Sequence, residues 1–236
     1  MEIHARNIAV HGPHGQLLPA TSLRVAEGQV ALVKAGRQEA TAFALAISGR
    51  LELTTGAVLL DGEADEQALR RLVAVIDSPE VSEPEAALPL SAVVAEEIAY
   101  TGGSADRNAV DEWLHKLGAE RYATARFESV PPTLRVEILT ALAAARPGVR
   151  ALVLDRPDRH AEDDPSSWWP SAIRHAKRGL AVVVLCSPAI ARLMGVPSAT
   201  IGLLDQPDAI VLAPDPPADA ASTQTLPTLA ERGADQ

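Results

Sequence analysis

The sequence is poor in cysteine: Cys186 is the single one in 236 residues. An intramolecular disulfide and a metal site built from several cysteines are therefore excluded, and a reducing compartment such as the cytoplasm is expected. No apolar run approaches the ~20 residues that a membrane span needs, and the first ten residues lack the pattern of a secretory signal. Basic residues are also in deficit, with 21 Lys and Arg against 31 Asp and Glu. The net charge of -10 disfavours nucleic-acid binding and direct membrane insertion, because such a surface repels phosphates.

The first 212 residues have the sequence pattern of a folded α/β unit. Residues 213–236 are acidic and rich in Pro and Ala, and we predict that this tail is disordered. The pattern of the first sixty residues predicts mainly strands and one helix that stops at Gly49, a residue type suited to a left-handed cap. The predicted strands cover residues 3–10, 21–25, 30–33 and 57–60, and the helix covers residues 40–48.

The middle of the chain predicts a helical insert over residues 79–145, followed by a return to alternating strands and helices. Two short, fully apolar runs after the insert are typical of strands buried on both faces. A strand, a helix and a strand at this spacing form a right-handed crossover, so the core sheet should be mainly parallel. The expected helices are residues 90–100, 108–117, 133–145 and 166–178, and the expected strands are residues 150–154 and 180–185.

Four ordered segments of the chain carry a resemblance to a known family. They are residues 22–33 (SLRVAEGQVALV), residues 49–62 (GRLELTTGAVLLDG), residues 90–100 (LSAVVAEEIAY), and residues 151–155 (ALVLD) followed by Pro157. Taken in order, they resemble the ATP-binding subunit of ABC transporters. The resemblance implies a P-loop NTPase-like ABC cassette: an α/β fold with a mainly parallel core sheet, an antiparallel β part and a helical subdomain.

The phosphate loop of that family needs glycines that let backbone N–H groups wrap the phosphates, a lysine that neutralises them and a hydroxyl for Mg²⁺. The run KAGRQEAT from Lys34 places Glu39 at the last glycine and Ala40 at the lysine, and only Thr41 keeps its expected type. A carboxylate repels polyphosphate, so no cofactor is expected and any binding of ATP with Mg²⁺ should be weak. Lys34 and Arg37 either replace the missing lysine as cations that bind phosphate or form a solvated surface pair. We expect the surface pair.

The second nucleotide motif keeps Asp155 but has Arg156 where the resemblance implies a catalytic glutamate. An arginine does not act as a base, because its pKa stays above about 12. Its expected role is an ion pair with Asp155 or Asp158. Without phosphates to anchor an ion, we expect no metal at Asp155.

The remaining family positions are also replaced. In the signature loop the serine is kept as Ser129. Pro131 and Pro132 follow it, lack backbone N–H donors and are expected to begin the next helix. The switch histidine falls in the run Cys186-Ser187-Pro188, and Asp77 stands at the glutamine.

Several single residues have a functional and a structural interpretation, and the structural one is preferred for each. We expect Cys186 to be an inert core thiol. We expect His11 and His14 to be solvated, Trp168 and Trp169 to make core or partner contacts, and His160 to belong to an exposed acidic loop with Glu162, Asp163 and Asp164 and not to a metal cluster.

These observations predict a degenerate ABC-type subunit, a pseudo-ATPase with no catalytic residue and no metal, peripheral on the inner face of the cell membrane. It would dock on a membrane permease or pair with another cassette subunit, as a hetero- or homodimer. The resemblance implies that the docking surface is the groove between the core and the helical insert around residues 79–100. The alternatives are an ATPase with rearranged ligands and a soluble scaffold module. The vestigial nucleotide site would consist of Lys34, Gly36, Arg37, Thr41 and Asp155.

Overall fold

The computed structural model describes residues 1–100, 103–160 and 164–214. Thr101 and Gly102 lie outside the described residues, as do Glu162, Asp163 and nearly all of the predicted tail. The strands are β1 (Glu2–Gly12), β2 (Gly15–Ala26), β3 (Gln29–Lys34), β4 (Thr55–Leu60), β5 (Val73–Ile76), β6 (Ala151–Asp155), β7 (Ala181–Cys186), β8 (Ser198–Thr200) and β9 (Ile210–Val211). The α-helices are α1 (Arg37–Ile47), α2 (Glu66–Leu72), α3 (Leu90–Tyr100), α4 (Arg107–Lys116), α5 (Pro132–Ala145), α6 (Trp169–Lys177) and α7 (Pro188–Met194).

The strands form two sheets. A three-stranded antiparallel sheet has the order β2-β1-β4, and a second sheet has the order β5-β6-β7-β3-β8, with β9 also paired to β3. Every pair along the second order is parallel, and β9 alone runs antiparallel to β3. The prediction of a mainly parallel core sheet with an antiparallel β part is therefore confirmed.

The parallel sheet is buried on both faces, which explains its continuous apolar strands. Alternate residues of β6 and β7 point to opposite sides, as the two-residue period of a strand requires. Leu152 and Val184 belong to a core shared with the helices of the predicted insert. Val153 and Val183 belong to a second core, shared with α1 and the antiparallel sheet. Each face is therefore closed by a different layer.

Prolines and glycines end and begin several helices as the sequence predicts. Pro131 precedes α5 and Pro132 is its first residue. Gly49, which follows α1, has φ +69°, and a Cβ there would lie 2.9 Å from the carbonyl oxygen of Glu66. A left-handed backbone beside a close neighbour admits glycine most readily.

The predicted helix over residues 166–178 begins later than expected. A short 3₁₀ turn covers Pro165–Ser167, and α6 starts at Trp169. Pro170 explains the difference, because proline is accommodated in the first turn of a helix and not in its interior. No helix in the described part of the chain is both long and apolar enough to cross a bilayer.

Candidate functional site

The carboxyl ends of the parallel strands meet at one edge of the sheet, which is where open α/β folds bind ligands. Asp155, the last residue of β6, has a fully buried side chain. Its Oδ2 accepts hydrogen bonds from the hydroxyl of Thr41 at 2.7 Å and from that of Ser78 at 2.6 Å. Two residues predicted for the site, Thr41 and Asp155, are therefore in direct contact.

Arg156 lies over the same carboxylate. Its Nε is 3.7 Å from Oδ1 of Asp155, so the expected ion pair with Asp155 is present. Burial raises the pKa of Asp155 above its ordinary value, and the hydroxyls of Ser78 and Thr41 and the charges of Arg156 and Arg159 oppose that shift only in part. Both hydroxyls are thus bonded to Oδ2 of Asp155, whereas Oδ1 is buried without a hydrogen bond from the described residues.

The segment predicted as a phosphate loop is the first turn of α1. The helix begins at Arg37, three residues before the predicted start, and the backbone N–H of Ala40 donates to the carbonyl oxygen of Gly36 at 2.9 Å. The carboxylate of Glu39 folds back and accepts the N–H of Gly36 at 3.0 Å. A backbone amide of the expected phosphate cradle is therefore bonded to an anion of the chain itself.

The two predicted cationic residues differ in exposure. Lys34 is half-buried at the end of β3, and Arg37 is exposed at the start of α1. Gly36 and Arg37 line a cleft of about 380 Å³, whose wall includes Arg156 and Asp158. Lys34 does not line that cleft.

The residues present do not fit ATP with Mg²⁺. Ala40, at the lysine position, is fully buried in the core shared with the antiparallel sheet. The hydroxyl expected to hold Mg²⁺, that of Thr41, is bonded to Asp155. Glu39 adds a negative charge beside the amide that a phosphate would use. A polyphosphate here would meet the carboxylate of Glu39 and no cation at residue 40.

A second polar cluster, which the sequence did not indicate, lies beside the first. Arg159 donates to both the backbone carbonyl and the carboxylate of Asp77, and it also binds Glu83 at 2.9 Å. His160 Nε2 lies 2.7 Å from the other carboxylate oxygen of Asp77. Arg135 lies 3.4 Å from the second ring nitrogen of His160. The cluster joins the segment after β5 to the segment after β6.

The expectation that His160 belongs to an exposed acidic loop is wrong, because His160 is half-buried against Asp77. Asp77, Glu83 and His160 are close enough to share a metal ion. However, the guanidinium of Arg159 already bonds to both carboxylates and supplies the positive charge that an ion would bring. The arrangement fits an ion-pair network better than a cation site.

The other single residues have the environments expected of them. Cys186 is fully buried, and burial, helped by the charge of Asp158, raises the pKa of its thiol to about 12. His11 and His14 are exposed. Trp168 is fully buried, and its ring meets that of Trp169 edge-on with centroids 5.9 Å apart.

Replacing Asp155 with asparagine should change how stability depends on pH. Because the native pKa of Asp155 is raised, the unfolded chain loses this proton first as pH rises, so ionisation of Asp155 lowers the free energy of unfolding from about pH 4 upward. Relative to wild type, Asp155→Asn should therefore gain stability between pH 4 and pH 7. Urea unfolding at several pH values measures the difference.

The exposed carboxylate of Asp205 provides the control, since Asp205→Asn should run parallel to wild type across the same range. Parallel curves for Asp155→Asn and wild type would contradict the raised pKa.

Solved structures similar to this chain are ATP-binding components of transporters. An ATP-binding subunit of an ABC transporter superposes with a TM-score of 0.60 at 13% identity, covering 90% of this chain and 90% of its own. A nucleotide-free ATP-binding cassette from an ABC transporter gives 0.61 at 15% identity, covering 85% and 88%. No family model matches the sequence, and no curated protein matches it significantly. The likeness establishes an ATP-binding-cassette fold.

Proposed function

We propose that this chain is a cassette-type subunit that does not hydrolyse ATP and works by docking on a membrane permease or on another cassette subunit. It would act in the cytoplasm, at the inner face of the cell membrane, in a structural or regulatory role. The fold supports the docking part of the proposal, because the similar structures are components of transporters.

The main support for the proposed lack of ATP binding and hydrolysis is the contact of Glu39 with Gly36 in the first turn of α1. A phosphate needs free backbone N–H groups that point into one cradle. Here one such group bonds to the chain's own carboxylate, whose charge repels a phosphate, and the N–H of Ala40 is bonded within the helix. Loss of a hydrogen bond to a charged group costs about 1.5–3 kcal/mol, or roughly ten- to a hundredfold in affinity.

The catalytic positions support the same conclusion. Arg156 stands where the resemblance implies the residue that polarises the attacking water, and its guanidinium lies against Asp155. A guanidinium has no proton-accepting form at neutral pH. Neither Arg156 nor Asp155 is therefore free to activate water for hydrolysis.

Calorimetric titration of MgATP and of MgADP into the purified protein tests the nucleotide part. The expected result is no heat of binding up to millimolar nucleotide and no release of phosphate. A nucleotide that bound the native state would also raise thermal stability, so an unchanged melting temperature provides a second readout. Binding at micromolar Kd, or turnover lost on Thr41→Ala, would overturn this part.

Extraction of membranes in mild detergent tests the docking part. A subunit that docks on a permease should co-purify in a fixed ratio with an integral membrane protein. A chain that is recovered alone from membranes and cytosol would instead favour a soluble scaffold.

A further inference from the structure

The cleft of about 380 Å³ at the start of α1 lies where three segments of the chain meet. They are residues 35–37 around the first residue of α1, the segment that follows β6, and residues 187–190 at the start of α7. Small-molecule sites in proteins typically have volumes of ~300–1,000 Å³. The cleft is therefore large enough for a small molecule, although its residues do not fit ATP.

Arg156 brings hydrogen-bond donors to this cleft that are not used within the described part of the chain. Its side chain is 12% exposed, and its Nε is fully buried without a hydrogen bond. The carboxylate of Asp155, 3.7 Å from Nε, lies within ion-pair distance but beyond hydrogen-bond distance. Because a buried donor without an acceptor is costly, a ligand that carries a carboxylate would stabilise this guanidinium.

The backbone of Arg156 is held in a conformation that side chains disfavour. Its φ is +53°, in the left-handed region. Its N–H donates to the carbonyl oxygen of Leu185 at 3.0 Å, and its own carbonyl oxygen accepts the N–H of Arg159 at 3.0 Å. Backbone strain that neighbouring residues maintain is most common at binding and active sites. The strain at Arg156 is therefore consistent with a role for its side chain in the cleft.

Asp158 offers the opposite kind of group to the same cleft. The residue is only 7% exposed, and its Oδ2 accepts the backbone N–H of Ser187 at 3.0 Å. Its Oδ1 is buried and has no hydrogen-bond partner among the described residues. A buried carboxylate oxygen needs a donor, and a charged ammonium forms a stronger hydrogen bond with it than a neutral group does.

A ligand of one charge sign would match only half of these groups. An inorganic anion would accept from Arg156 and from the exposed Arg37 but would be repelled by Asp158. A simple amine would bond to Asp158 but would be repelled by the two arginines. A zwitterion carries both a carboxylate and an ammonium and adds no net charge to the cleft.

We propose that this cleft binds a free α-amino acid with an apolar side chain, its carboxylate on Arg156 and Arg37 and its ammonium on Oδ1 of Asp158. A guanidinium and a carboxylate form paired hydrogen bonds of matching geometry. Pro188 and Ile190 form the apolar part of the wall, which suits an apolar side chain. The inference does not depend on the docking function. It adds a small-molecule ligand to a chain that we propose has lost its nucleotide.

Calorimetric titration of L-leucine into the full chain tests the class of ligand. L-leucine should bind and raise the melting temperature. Its methyl ester lacks the carboxylate, N-acetyl-L-leucine lacks the ammonium, and 2-hydroxy-4-methylpentanoate has a hydroxyl in place of the ammonium. Each analogue should bind about ten- to a hundredfold more weakly, because each loses a charged hydrogen bond.

Three results would overturn the inference. The first is the absence of binding by L-leucine, L-valine and L-methionine alike at millimolar concentration. The second is equal binding of L-leucine and any of the three analogues. The third is binding of sulfate as tight as that of L-leucine, which would make the cleft an anion site.

Paired variants locate the binding. Arg156→Gln and Asp158→Asn should each weaken binding of L-leucine about tenfold or more. Arg178→Gln and Asp208→Asn make the same changes at exposed positions outside the cleft and should leave binding within about twofold of wild type. Circular dichroism confirms that each variant is folded. Equal losses in the two pairs would mean that the cleft is not the site.

Asp158→Asn also provides a readout that a loss of stability would not change. Wild type should prefer L-leucine to 2-hydroxy-4-methylpentanoate, whereas Asp158→Asn should bind the two within about twofold of each other, because the charge that favours an ammonium is gone. A preference that survives in Asp158→Asn would overturn the assignment of the ammonium to this carboxylate.

The outcomes separate this inference from the proposed function. A chain that binds L-leucine but does not co-purify with a membrane protein keeps the amino-acid site and loses the docking function. A chain that co-purifies with a membrane protein but binds none of the amino acids keeps the docking function and loses the site.

Discussion

Replacing Ala40 with lysine should destabilise the protein by at least about 3 kcal/mol and should not create ATP binding. Ala40 is fully buried and packs in the core beside the antiparallel sheet. A lysine there would force a long side chain into close-packed space and carry its charge into a region of low polarity. The lysine of a phosphate loop points at phosphates, whereas α1 turns this position inward.

Urea unfolding measures the loss of stability, and calorimetry with MgATP measures binding. Gln38 is the matched control, because it lies on the exposed side of the same turn. Gln38→Lys should stay within about 0.5 kcal/mol of wild type. A stable Ala40→Lys variant that binds MgATP would contradict this prediction. It would show that the absence of a lysine at residue 40 is the sole cause of the lack of ATP binding.

Replacing Gly56 with alanine should cost at least about 3 kcal/mol or prevent folding. Gly56 lies in β4 with φ +80°, and a Cβ there would lie 2.3 Å from the carbonyl oxygen of Asn7 and 2.4 Å from that of Arg6. The pairing of β1 with β4 shifts register between Arg6 and Ala9, and Asn7 itself has φ +51°. The bulge therefore presents backbone carbonyls to β4, and backbone atoms cannot rotate away as a side chain would.

Gly62 separates the clash from the backbone strain. It has φ +92° and open space around the position of a Cβ. Gly62→Ala should therefore cost only the strain of a left-handed alanine, about 1–2 kcal/mol. Thermal and urea unfolding of the two variants measure the difference. Similar losses in both would contradict the close approach of β1 to β4.

Several of the strands and helices could be predicted because their patterns are local, whereas α2, β5, α7, β8 and β9 were not predicted. The fully apolar runs that became β6 and β7 predict strands covered on both faces, and the structure has both faces covered. The helix Leu90–Tyr100 is found as predicted. The resemblance to ATP-binding cassettes agrees with the structural comparison, which shares only 13–15% identity.

The start of α1 was predicted three residues too late, at Ala40. Local propensity alone would have corrected it, since Arg37, Gln38 and Glu39 favour helix and the run has no glycine after Gly36. Without residues that adopt a left-handed backbone easily, the loop has no means to wrap a ligand. The helix therefore extends back to Gly36.

The cluster around Asp77 could not be predicted from spacing. Arg159 and His160 lie some eighty residues further along the chain. Because β5 and β6 are parallel neighbours, the residues that follow them converge. The parallel pairing of β5 with β6 predicts only that the segments following the two strands lie near each other. It does not say that Arg159 binds both Asp77 and Glu83, since those contacts depend on side-chain geometry.

The burial of Cys186 has a practical consequence for studying the groove around residues 79–100, the expected docking surface. A thiol with a pKa of about 12, fully covered at the end of β7, presents almost no thiolate to an alkylating reagent near neutral pH. A maleimide or spin label will therefore attach to an introduced cysteine and leave the native one untouched. Label pairs such as Glu85→Cys with Glu96→Cys can report the width of the groove without any prior removal of the native thiol.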